Sequence, residues 1–179
     1  LGQNERIAWG GTVAAYDVTD LYEEEVQING DTKTVMFQGG PVAVETVYET
    51  FRVRGGEDVV IPIDFVPHHG PQVPGDPRSA DPGLTPENNL TVRWTGQFVT
   101  YDFDAFYGLL RAESIDDFFE ALENFGVGAQ NWVGADVNGE IAYFPHAHIP
   151  IRSEAALTKE HPPYLPYPGT GAYEWLQDE

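Results

Sequence analysis

Hydrophobic residues recur along this chain with a period of two more often than with the helical period. Ile7 and Trp9 alternate with Arg6 and Ala8 until Gly10-Gly11 interrupts, which predicts a first strand. Leu21 to Gln27 predicts another, and Asn29-Gly30 supplies a tight hairpin turn before a returning strand over Thr32 to Phe37. Val42 to Val53 alternates Val, Thr and Phe with polar residues, turns at Gly55-Gly56 and returns over Val59 to Val66. The pattern is an antiparallel meander in which each strand has one apolar face.

Between Gly70 and Asn89 the alternation dissolves into Pro71, Pro74, Pro77, Pro82 and Pro86, with Gly75 and Gly83 among them, which predicts a surface loop. Asn89-Leu90-Thr91 satisfies the N-glycosylation triplet, although the strand expected over Leu90 to Trp94 would block it. Two helices follow. Asp102 is a candidate cap for a segment with Phe103, Phe106, Tyr107 and Leu110 at helical spacing. Ser114 with Asp117 resembles a capping box ahead of Ile115, Phe118, Phe119, Leu122 and Phe125, and both apolar stripes are expected to face the core. Strands over Asn131 to Val137 and Glu140 to Phe144 meet at Asn138-Gly139, the strongest hairpin signal in the chain. The expected fold class is α+β, mostly antiparallel sheet with two short helices.

A length of 179 residues with 41% hydrophobic content fits one domain with one core, so residues 1–179 are expected to form a single domain. No apolar run approaches the ~18 residues of a membrane span, and no partner membrane is expected. The net charge of -20, with Lys33 and Lys159 the sole lysines, repels phosphate backbones and argues against nucleic acid. Two origins fit that charge. A surface adapted to high salt is favoured, because screening there relieves self-repulsion; an ordinary acidic secreted protein is the other. With no cysteine, disulfides and thiolate chemistry are excluded.

Three stretches carry a family resemblance: Gly2 to Tyr22, with its I-A-W-G-G-T and D-V-T-D-L-Y runs; Gln130 to Ile141, reading Q-N-W-V-G-A-D-V-N-G-E-I; and Pro166 to Trp175, reading P-Y-P-G-T-G-A-Y-E-W. In this order and approximate spacing they resemble the penicillin acylase family of N-terminal-nucleophile amidohydrolases. The resemblance implies an internal fragment of the nucleophile-bearing chain, within a four-layer αββα assembly. Its partners would be the remaining segments of the same precursor, and its substrate a small acyl-amide. The family setting is secreted or extracytoplasmic. In the whole enzyme an N-terminal Ser would be acylated by a linear amide, release the amine and then be freed by water.

By the same resemblance, the Val13 backbone N–H is one oxyanion donor, and Leu1, Gly11 and Gln130 line the acyl pocket. Gln130 places an amide where an aliphatic side chain would suit a phenyl ring, which favours another acyl group. Asp17, Thr19, Asp20 and Pro163 match ligands of a structural Ca²⁺, a cation that takes oxygen donors from loops. Ser79, Ser114 and Ser153 have no triad-like neighbourhood, so the chain alone is expected to hydrolyse no amide. Two further readings stay open. His146-x-His148 with His68-His69 is a generic transition-metal set, although His69-Gly70-Pro71 also resembles a structural turn of the family. The whole chain also fits a calcium-stabilised, β-rich binding or adhesion module.

Overall fold

The alternating segments become thirteen short strands and the two periodic segments become helices, in a computed structural model that describes residues 1–75 and 83–176. The strands are β1 (Gly2–Gln3), β2 (Ile7–Val13), β3 (Thr19–Glu23), β4 (Val26–Asn29), β5 (Thr32–Phe37), β6 (Gly40–Ala43) and β7 (Glu45–Phe51). They continue with β8 (Val59–Val66), β9 (Gly70–Pro71), β10 (Leu90–Trp94), β11 (Gln130–Asp136), β12 (Ile141–His146) and β13 (Tyr167–Pro168). The helices are α1 (Asp102–Arg111) and α2 (Ile115–Leu122). This is the expected α+β class. The pairs β1–β2, β2–β11, β11–β12, β4–β5, β5–β6, β7–β8 and β8–β9 are antiparallel, and β13 runs parallel to β3. The chain divides into two compact units: Leu1–Val18 with Trp94–Pro150, and Thr19–Arg93 with the segment from Ile151 onward.

In the first unit the sheet order is β1-β2-β11-β12. Register puts Ile7, Trp9, Trp132, Gly134 and Phe144 on one face, and that face packs on the helices. Ile7, Leu109, Ile115, Phe118, Leu122, Phe125 and Trp132 form the buried core. Ser114 caps α2 by accepting the Asp117 N–H, as its sequence predicts.

α1 departs from expectation. It buries Ala105 and Leu109, while Phe103 is 92% and Leu110 63% exposed. The cause is Gly108, where a Cβ would stand 2.7 Å from that of Ala121, so α1 meets α2 along its small-residue face and not along its aromatic stripe. Asp102 is the first helical residue and not the cap; its carboxylate accepts the Gly126 and Val127 N–H groups at 2.9 and 3.0 Å.

In the second unit the sheets are β10-β3-β13, β4-β5-β6 and β7-β8-β9. The Asn29-Gly30 turn joins β4 to β5, with Gly30 at φ +61°. The strand expected over Leu21 to Gln27 is broken, because Glu24 turns its carboxylate inward while its N–H donates to Asn89 O. β7 is exposed along its whole length and so lacks the expected apolar burial. Val26, Val35, Val66 and Leu84 form one apolar cluster, and Tyr22, Ala156 and Tyr167 another.

Candidate active-site segment

Val13 ends β2, opposite Gln130 of β11. The next residue, Ala14, donates its N–H to Ala129 O at 2.9 Å. Alternation along an antiparallel ladder therefore turns the Val13 N–H away from β11, toward the β1 side of the sheet. β1 reaches no further than the pairing of Gly2 with Trp9, so no strand of the first unit covers that edge of β2 over Gly11 to Val13. The Val13 residue is 79% exposed.

The next peptide, made of the Val13 C=O and the Ala14 N–H, is held on both sides. Asn131 Nδ2 donates to the Val13 carbonyl at 3.1 Å, and the Tyr143 hydroxyl donates to Asn131 Oδ1 at 2.6 Å. Sequence reasoning missed this pair; its signal was an Asn and a Tyr on adjacent strands flanking the Asn-Gly hairpin.

Gly11, Val13 and Gln130 share one sheet face by register. Beneath Gly11 lies the Trp132 indole, 3.1 Å from where a Cβ would stand, so any larger residue at this position must push the ring away. The Trp132 Nε1–H is buried and has no partner among the described residues, a deficit of about 1–3 kcal/mol. Leu1 is not brought to this group. Its side chain crosses the opposite face, against Gly10, where it lines an apolar depression of about 670 Å³ with Val133, Ile141 and Tyr143.

Of the residues matched to a calcium site, Asp17 is exposed in the first unit. In the second unit Thr19 is exposed, Pro163 is half-buried in an irregular run and Asp20 is buried. Arg152 grips the Asp20 carboxylate with Nε on Oδ2 at 2.8 Å and Nη2 on Oδ1 at 3.0 Å, and Trp175 Nε1 donates to Oδ2 at 2.5 Å. Both oxygens of Asp20 are therefore engaged by side chains of the second unit.

Of the serines, Ser114 is a helix cap and Ser153 donates its hydroxyl to Ala172 O, so neither hydroxyl is set against a base; Ser79 lies outside the described residues. His146 belongs to the first unit, where burial and the adjacent His148 hold its imidazole below the usual range. His68 and His69 belong to the second unit, where they gather with Glu24.

His69 Nδ1 lies 2.7 Å from Glu24 Oε1 and its Nε2 2.9 Å from Glu174 Oε1, while Arg93 pairs with Glu174 Oε2 at 3.2 Å. Burial disfavours the imidazolium, but hydrogen bonds to Glu174 and Glu24 outweigh it and raise the His69 pKa.

The penicillin amidase family model matches residues 1–178. The chain is 30% identical over 178 residues to penicillin acylase 2 proenzyme from Pseudomonas sp. (strain SE83), covering 98% of this chain and 21% of that protein. It is 28% identical to the acyl-homoserine lactone acylase QuiP of Pseudomonas syringae pv. tomato, covering 97% of this chain and 20% of that relative. The fold aligns with a thermostable penicillin G acylase from Alcaligenes faecalis at a TM-score of 0.76 and 24% identity, covering 98% of this chain and 29% of that one. The chain thus spans about a fifth of the length of these curated relatives. The match over nearly all of its residues places it in the penicillin amidase family.

Proposed function

We propose that these residues are a segment of an amidohydrolase that cleaves linear carbon-nitrogen bonds through an acyl-enzyme. The segment supplies an oxyanion donor and part of the acyl pocket, and the nucleophile comes from the remainder of the precursor. One observation carries the reading: the Val13 N–H, set by the β2–β11 ladder, turns to an edge that no strand of the first unit covers. An N–H fixed before the reaction stabilises developing negative charge without reorganising. On the same face the Trp132 ring packs directly against Gly11, and Gln130 brings an amide, which suits an acyl group other than phenylacetyl.

The apolar stripe of α1 and the uncovered sheet face bearing Val133, Ile141 and Tyr143 support partners from the same precursor. Surfaces of this size and character are seldom left to water.

The test is Val13→Pro in the full precursor, since proline removes the N–H, with Val13→Ala as the control that keeps it. Penicillin G, an N-acyl homoserine lactone and aliphatic anilides form the substrate panel. Proline should lower kcat about 100- to 1,000-fold while processing of the precursor on a gel stays normal. Equal activity in the two variants would remove Val13 from the oxyanion role. The 179-residue chain alone is expected to turn over none of the panel.

A further inference from the structure

Glu24, His68 and His69 take no part in the function proposed above. Glu24 leaves the end of β3 and the histidines follow β8, so two separate segments deliver them to one buried place. One potential ligand atom from each lies within 4.8 Å of the others. His69 is already oriented, with Nε2 on Glu174, Nδ1 toward Glu24 and its ring stacked on Tyr22 at 3.7 Å. A carboxylate holding the far nitrogen of an imidazole is the usual support of a metal-binding histidine.

Two atoms of the group have no partner among the described residues, Glu24 Oε2 and His68 Nε2, and both are buried. Gly169 packs directly against the Glu24 carboxylate, since a Cβ there would stand 2.5 Å from Oε2.

We propose that Glu24, His68 and His69 form a binding site for a divalent transition metal of the zinc class, with a fourth position left to water. Imidazole nitrogens with one carboxylate oxygen suit Zn²⁺ or Co²⁺ and not an oxygen-seeking cation. Tetrahedral bonds of about 2.0–2.1 Å separate ligand atoms by about 3.3 Å, so closing on an ion shortens the present spacing by up to about 1.5 Å.

The charge is suitable: Glu24 and Glu174 face the site against Arg93 and the His69 proton. The buried His68 Nε2, without a partner among the described residues, is the nitrogen available to the ion. Metal arrival releases the His69 Nδ1 proton to solvent, while Nε2 keeps its own toward Glu174. Affinity therefore rises with pH. The ion would clamp the end of β3 to the turn after β8.

Cobalt titration of the chain, followed by visible absorption at pH 8 and pH 6, tests this. One equivalent should bind with a d–d band in the tetrahedral range, and more tightly at pH 8. His68→Gln, which leaves the His69 contacts in place, should weaken binding by at least about tenfold. Gly169→Ala should do the same by displacing the Glu24 carboxylate, and it decides the matter if the first variant does not fold by circular dichroism. The double variant His146→Gln/His148→Gln should bind as the native chain does. No band in the native chain, undiminished affinity in the two site variants, or loss of the band in the double variant would each overturn the proposal.

Discussion

The two units bury different chemistry. The first builds its core from Ile7, Leu109, Phe118, Leu122, Phe125 and Trp132, an apolar sheet face closed by two helices. The second buries Asp20, Glu24, Asp64, His69, Gln72 and Thr91 among smaller apolar clusters. Its charges are matched in place, Asp20 by Arg152, Asp64 by Lys33 at 2.9 Å, and His69 by Glu24 and Glu174. An apolar core tolerates small shifts of its members, whereas a buried ion pair is stable only while both partners stay within hydrogen-bond distance. The second unit therefore gains definition of geometry more than net stability.

The largest effect should separate these two cases. Asp20→Ala removes the carboxylate that pairs with the Arg152 guanidinium and accepts the Trp175 N–H, and should cost the second unit about 3–5 kcal/mol. Replacing both partners, Asp20→Leu with Arg152→Met, should recover most of that loss. Phe118→Ala should cost the first unit about 3–5 kcal/mol. Denaturant unfolding with hydrogen exchange assigned to each unit measures all three. A double variant no more stable than Asp20→Ala would mean that the pair itself holds the second unit together.

A smaller effect follows from protonation. The folded pKa of His69 is raised above its unfolded value of about 6.5. Its contribution is complete below that value and is lost as pH rises through the folded pKa. Asp64 moves the other way. Burial pushes its carboxyl up, but the Thr46 hydroxyl, the Lys33 ammonium and the Leu84 N–H outweigh this and hold it below the usual carboxylate range. Asp64 therefore contributes above its unfolded pKa and loses that contribution as the medium becomes acidic. With a chelator present, the second unit should weaken on both sides, and His69→Gln should abolish only the alkaline limb. In the first unit, Asp102 is likewise held low against its own burial by Thr100 and the Val127 and Gly126 N–H groups, so that unit should weaken only in acid. An alkaline limb that survives His69→Gln would assign it to another group.

This contrast also explains what could be read from the sequence. Strands, hairpins and both helices were legible because period, glycine turns and the Ser114 cap are local signals. β8 and β10 match their expected bounds. The buried charges were not legible. Glu24 sits in a run of three glutamates that reads as a solvated face, and Asp20 meets Arg152 across 132 positions. The outward turn of the aromatic stripe on α1 is set by Gly108 against Ala121, a contact that no helical periodicity reports. The family motifs matched Leu1, Gly11 and Gln130 to one pocket, whereas strand register, which the motifs do not carry, puts Gly11, Val13 and Gln130 on one face and Leu1 on the other.

The smallest expected effect concerns salt. The first unit holds eleven acidic residues against two basic ones, Arg6 and Arg111, whereas the seven other basic residues all belong to the second. Repulsion among the exposed acids of the first unit therefore has little internal compensation, and added salt relieves it as the Debye length falls from ~10 Å at 0.1 M to ~3 Å at 1 M. In the second unit the same screening acts weakly on Asp20–Arg152 and Lys33–Asp64, since buried pairs exclude the ions that would screen them. Between low and molar KCl, hydrogen-exchange protection should therefore rise more in the first unit than in the second, and the unfolding midpoint of the chain should rise with it. A flat or falling midpoint would end the reading of this surface as adapted to high salt. An equal rise in both units would keep that reading but erase the electrostatic distinction between them.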